Sequence, residues 1–162
     1  MNPNRLAYLL ALLIPAALLG GALIAQYVYG VPPCEMCWWQ RYPHIAALVL
    51  AALAWMTRRD ALVALAAIAI LVSGAIGAFH AGVEYNWWEG LTACTANASS
   101  SGDPLASNMA APIVRCDVAP WTLGGVSLAG FNFLISTATG VAILVLIRRR
   151  PRKGDFARKT VR

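Results

Sequence analysis

Apolar positions along the chain fall into four runs, at 6–29, 37–56, 61–79 and 126–147, separated by polar breaks of unequal length. At about 1.5 Å of rise per residue, each run as a helix reaches or nearly reaches across a hydrocarbon layer roughly 30 Å thick. The pattern predicts an all-α integral membrane protein, a four-helix transmembrane bundle whose two longer connections, 30–36 and 80–125, lie on one side. Thr57-Arg58-Arg59-Asp60 is short enough for a tight turn, which makes the second and third runs antiparallel neighbours. The second run contains Pro43, which lacks an amide hydrogen and disfavours helix at the residue before it. A helix beginning only at Pro43 is too short to cross, so either the helix starts nearer Cys37 and bends at Pro43 or the Cys37–Tyr42 turn itself dips into the interface. In the third run Ser73-Gly74 and Gly77 are small enough for close helix approach. The first run also offers a small-residue cleavage site at Gly20-Gly21-Ala22. Its apolar character continues to Tyr29, however, which favours a retained span.

Composition agrees with the pattern: 59% of residues are hydrophobic and 12% charged, far from the soluble balance. The formal charge of +6 raises the question of nucleic acid, and its placement answers it. All but Arg41 and Arg115 of the 13 basic residues lie at Arg5, at Arg58-Arg59 or in the tail from Arg148. Four spans put these clusters on one side, the cytoplasm by the positive-inside rule, with both termini there. No basic face suited to phosphates remains, so no nucleic-acid partner is expected. Tyr27, Tyr29, Trp38, Trp39, Tyr42, Trp87 and Trp88 fall near the other side, where aromatic side chains anchor at an interface. The stretch from Ala96 to Asn108 is rich in Ser, Asn, Ala and Gly and reads as loop.

That same side receives all four cysteines: Cys34 and Cys37 in the first loop, Cys94 and Cys116 in the second. An even count on one face fits an oxidising compartment and two disulfides. Cys34-Glu35-Met36-Cys37 is a C-x-x-C pair at a helix start, where i,i+3 sulfurs lie within bridging reach and thiol acidity is enhanced. Zinc would want four ligands at closer spacing than the second pair offers, so no metal is expected. A purely structural bridge constrains little when its loop is so small. For Cys94 and Cys116 a loop staple and an exchangeable disulfide stay open on spacing alone. Arg41 follows Cys37 by four residues and so shares its helical face; it is either an interfacial arginine or a cation that favours a thiolate and a developing oxyanion. His80 is either an interfacial histidine or a proton shuttle, with Glu84 four residues on to orient it.

Taken together, these residues resemble the bacterial disulfide bond formation protein B (DsbB) family. The resemblance rests on Cys34-x-x-Cys37 followed by Gln40-Arg41 after the first span, His80 at the outer end of the third, then Cys94 and Cys116. Pro120-Trp121 through Ser127-Leu128-Ala129 is similar as well. It implies a thiol:quinone oxidoreductase of the bacterial inner membrane with its cysteines periplasmic. A reduced thioredoxin-fold oxidase of the DsbA type would attack Cys94–Cys116. Electrons would then pass to Cys34–Cys37 and on to a quinone, ubiquinone or menaquinone, of the membrane pool. By family position Cys37 adjoins the quinone, Cys34 exchanges with the loop pair, and Arg41 and His80 bind and serve the quinone. The rival of a different class is a non-catalytic four-span scaffold with two structural disulfides.

Overall fold

The computed structural model describes residues 3–92 and 114–148, with side chains from Arg5 onward. Four long helices account for most of it: α1 (Pro3–Tyr27), α2 (Glu35–Thr57), α3 (Asp60–Glu84) and α4 (Leu128–Arg148). Between α3 and α4 two short strands, β1 (Thr122–Leu123) and β2 (Val126–Ser127), pair antiparallel. The helices pack in a ring, α1 against α2 and α4, and α3 against α2 and α4. Successive helices run in opposite directions, so the C-terminal ends of α1 and α3 meet the N-terminal ends of α2 and α4. Arg5, Arg58, Arg59 and Arg148 gather at the opposite end of the ring.

Three helices, α1 from Arg5, α3 and α4, are long and apolar enough to cross a membrane. The fourth, α2, is 23 residues long and so about 34 Å, sufficient in length. Its first turns carry Glu35, Gln40, Arg41 and His44, which lower its apolar character.

The helix does continue through Pro43 to Cys37 and beyond. In the turn before the proline, Ser73 Oγ of α3 donates to the Gln40 carbonyl at 2.8 Å. Serine hydroxyls of neighbouring helices commonly support backbone loosened by proline in this way. The small residues of α3 sit where helices approach most closely. A Cβ on Gly77 would stand 2.9 Å from the Ala129 carbonyl, and one on Gly74 3.0 Å from Thr137 Oγ1. The core at the basic end is mostly alanine, including Ala7, Ala11, Ala47, Ala51, Ala54, Ala66 and Ala67, closed by Val63, Ile70 and Ile143. Such small side chains let backbones come together and gain dispersion contact.

Two bounds differ from the apolar runs. Helix α3 continues past His80 to Glu84, which brings both side chains onto one helical face. The last run starts as a hairpin rather than a helix, because Gly124 (φ 58°) and Gly125 (φ 80°) take the left-handed conformations of a two-residue turn. Tyr85 fastens this hairpin to the end of α3, its hydroxyl donating to the Gly125 carbonyl at 2.8 Å and accepting from the Ser127 amide at 2.9 Å.

Candidate functional site

The site lies where α2 begins. Cys34 is the N-cap of α2, and its sulfur accepts the Cys37 amide at 3.2 Å. The two cysteines are free thiols with sulfurs 2.7 Å apart, about 0.7 Å beyond a covalent bond. The hydrogen bond to Cys37, and then burial, push the Cys34 thiol well above the ordinary cysteine range.

Cys34 is buried in a cluster with Met36, Val83 and Cys116, and the half-buried Cys37 packs against the same cluster. Cys116 is fully buried and disulfide-bonded, and Thr92 Oγ1 lies 3.6 Å from its sulfur. Its expected partner, Cys94, lies outside the described residues. Of Cys34 and Cys37, only Cys37 lines a cavity of about 270 Å³ among the four helices. Apolar residues such as Leu18, Ala22, Ala25, Leu128 and Phe131 form much of the wall. Arg41, His44, His80, Glu84 and Asn132 form its polar part.

Arg41 is 6% exposed and does not reach outward to water. Its Nη1 donates to Gln26 Oε1 at 2.6 Å and its Nη2 to the Ala22 carbonyl at 3.3 Å, both on α1. Its guanidinium stands 4.8 Å from the centre of the Trp38 ring. Among the described residues no carboxylate lies within 4.0 Å of it. A buried cation with only neutral partners beside a cavity is a ready receptor for negative charge.

His80 joins the cysteines to the interior. Its Nε2 lies 3.6 Å from Cys34 Sγ and 3.8 Å from Glu84 Oε1, and the Cys116 backbone also hydrogen-bonds the ring. Its Nδ1 is 2.8 Å from Gln40 Nε2, which also contacts the Met36 carbonyl. A carbonyl only accepts, so the amide nitrogen of Gln40 is the donor on that side and His80 Nδ1 is an acceptor. The neutral ring then carries its proton on Nε2, facing Cys34 and Glu84. Cys34, Cys37 and His80 place possible ligand atoms within 4.8 Å of one another, close enough for a metal ion. With that tautomer, however, the imidazole shows the sulfurs a hydrogen, not the lone pair a metal needs.

Behind Gln40 a polar network runs on through the helices. Asn132 Nδ2 donates to Gln40 Oε1 (2.9 Å), to the Ser73 carbonyl (3.1 Å) and to Ser73 Oγ (3.1 Å). Asn132 Oδ1 receives Ser136 Oγ and faces His44 Nε2, both at 2.9 Å. Of the residues singled out from sequence, the fold brings Cys34, Cys37, Arg41, His80 and Cys116 to one end of the bundle. Sequence reasoning missed His44, Asn132 and Ser73. The signal was present: Cys37, Gln40, Arg41 and His44 recur at three- and four-residue intervals, the spacing of a single helical face. Asn132 is likewise a polar residue inside an otherwise apolar span, a place where polarity commonly has a role.

A membrane-type helical protein with a dithiol at the mouth of a largely apolar cavity, and a buried disulfide sulfur beside it, belongs among thiol–disulfide exchange proteins. The chain belongs to the disulfide bond formation protein DsbB family, whose description matches residues 4–146. A relative from Polaromonas sp., named disulfide bond formation protein B, is 30% identical over 160 residues, covering 93% of this chain and 94% of its own length. Proteins of the same name from Polaromonas naphthalenivorans and Chromohalobacter salexigens are each 29% identical. They cover 93% and 90% of this chain, and 95% and 94% of their own lengths. No solved structure matches the chain.

Proposed function

We propose that the chain is a thiol:quinone oxidoreductase that regenerates a periplasmic thioredoxin-fold oxidase of the DsbA type. Its four helices all span the bacterial inner membrane, with the arginine-rich end in the cytoplasm and the cysteines in the periplasm. The partner's dithiol is oxidised by Cys94–Cys116, whose electrons pass to Cys34–Cys37 and then to ubiquinone or menaquinone in the cavity. In the final step two S–H bonds break and one S–S bond forms. Two electrons and two protons convert the quinone's carbonyls to hydroxyls.

The observation that carries this reading is the division of labour between two adjacent sulfurs. Cys34 packs in one cluster with the disulfide-bonded Cys116, and Cys37, 2.7 Å away and packed against that cluster, alone of the two lines the cavity that holds Arg41. A cavity with apolar walls, a buried guanidinium and acceptor atoms at its polar end suits a lipid-soluble ring with two oxygens. Arg41 has free donor capacity for a ring oxygen that gains negative charge. His80 Nε2–H faces Cys34 Sγ at 3.6 Å and is placed to hydrogen-bond that sulfur while it exchanges with the loop pair. A four-span scaffold with two stapling disulfides gives no reason for a buried cation at the mouth of a cavity.

The test is quinone reduction by purified protein supplied with a reduced thioredoxin-fold partner. Cys37→Ser should abolish quinone reduction, whereas Cys94→Ser should chiefly impair reaction with the partner. Equal, mild losses in both variants contradict this electron order.

A further inference from the structure

His44 takes no part in the electron path above, yet it lines the cavity one turn of α2 beyond Arg41 and is 3% exposed. The amide beside it settles which ring nitrogen carries the proton. Asn132 Nδ2 donates to the Ser73 main-chain carbonyl, an acceptor only, so Asn132 turns Oδ1 toward His44. That oxygen also only accepts, and His44 Nε2 must therefore be the N–H of the neutral ring. The lone pair is left on Nδ1, which is buried and has no hydrogen-bond partner among the described residues. Buried acceptors are nearly always satisfied, so an exception on the wall of a cavity points to a donor on what the cavity binds.

We propose that His44 Nδ1 accepts a hydrogen bond from a ring hydroxyl of the bound ligand, so that the cavity favours the hydroquinone over the quinone. The inference rests on the cavity being the quinone site. Arg41 has donors only and can serve a ring oxygen in either oxidation state. Nδ1 of His44 offers only a lone pair and is matched by a hydroxyl, not by a carbonyl oxygen with lone pairs of its own. The donor it needs is created by the reaction, when the two protons and two electrons from Cys34 and Cys37 turn carbonyl into hydroxyl. His44 is thus a ligand-contacting residue that favours the reduced product and so draws the dithiol toward the disulfide.

The test is anaerobic equilibrium binding of decylubiquinone and of its hydroquinone to the full-length protein. Cys34 and Cys37 are both replaced by Ala in this background, so that no exchange occurs. His44→Gln and His44→Leu both lack the Nδ1 acceptor, and His44→Gln can still donate to Asn132. In either variant the preference for hydroquinone, expressed as the ratio of the two Kd values, should fall by about three- to tenfold. The quinone's own Kd should move less than about twofold. In the His44 protein the ring Nδ1 ¹⁵N resonance should shift on adding hydroquinone and not on adding quinone. Binding of both forms with an unchanged ratio, or an Nδ1 resonance indifferent to hydroquinone, overturns the assignment of His44 and leaves the quinone site standing. Failure of the His44 protein with Cys34 and Cys37 intact and oxidised to bind decylubiquinone overturns the quinone site and this inference with it.

Discussion

Asn132 is the hub on which the polar interior depends, and replacing it by leucine tests that dependence quantitatively. The side chain is buried and ties α4 to Gln40 and His44 on α2 and to Ser73 on α3. Leucine is of similar size, so the change is mainly the loss of polar partners. Ser73 Oγ keeps its bond to the Gln40 carbonyl, and Ser136 can turn to its own helix. Gln40 Oε1 and His44 Nε2 are left without their Asn132 partner. Each orphaned buried group costs about 1–3 kcal/mol in proteins generally, while hydrogen bonds inside membrane helices average nearer 0.6 kcal/mol. The sum comes to about 2–4 kcal/mol, or a Tm lower by roughly 5–15 °C for a chain of this size. Ser136→Ala is the internal control, since Asn132 Oδ1 keeps its contact with His44; it should cost under about 1 kcal/mol. Thermal unfolding in one detergent, followed by tryptophan fluorescence, measures both. Equal Tm values for Asn132→Leu, Ser136→Ala and the parent protein refute the reasoning, because the network would then contribute nothing to cohesion.

Gly82→Ala drives a Cβ into the Trp88 ring, which must displace a ring stacked on Phe79. A stability loss of about 1–3 kcal/mol with a changed Trp88 emission is expected, and an unperturbed fluorescence spectrum contradicts it. Arg41→Met should raise the KM for a short-chain quinone about tenfold or more, with Arg41→Lys recovering only part because lysine lacks the forked donors that reach Gln26 and Ala22. Steady-state kinetics with an unchanged KM removes Arg41 from the quinone site. Beside Cys116, the Arg115 guanidinium at 2.6 Å holds the Asp117 carboxyl below the usual carboxylate range. Its folded pKa is lowered, so the pair's small contribution is present above the ordinary carboxylate pKa and is lost as pH falls through the lowered one. Arg115→Ala should move the Asp117 titration upward in a ¹³C NMR pH series, and an unmoved midpoint contradicts the pairing.

Much of the architecture was legible because membrane helices obey few rules. Apolar length located α1, α3 and α4 to within a few residues, and the small side chains at Ser73, Gly74 and Gly77 marked where α3 meets its neighbours closely. The hairpin at Thr122–Ser127 was hidden because its residues are apolar enough to pass for the start of a span. Only the positive φ of Gly124 and Gly125 reveals the turn. At the site, Cys34, Cys37 and Arg41 were legible from spacing within one helix. The surroundings of His80 were not, since its partners come from α2 and from the segment holding Cys116. Hydrogen bonds between residues as far apart in sequence as His44 and Asn132 have no local signature. The length needed to cross already required a helix running through Pro43, whereas the support that Ser73, from another helix, gives the turn before it has no local signature.

The most direct measurement of the electron path is the redox state of Cys34 and Cys37 in living cells, trapped by acid quench and thiol alkylation with and without a quinone pool. With quinone present the pair should be mostly oxidised. With quinone synthesis blocked it should accumulate as the dithiol, followed by reduction of Cys116. A pair that stays oxidised after the pool is exhausted contradicts electron delivery to quinone.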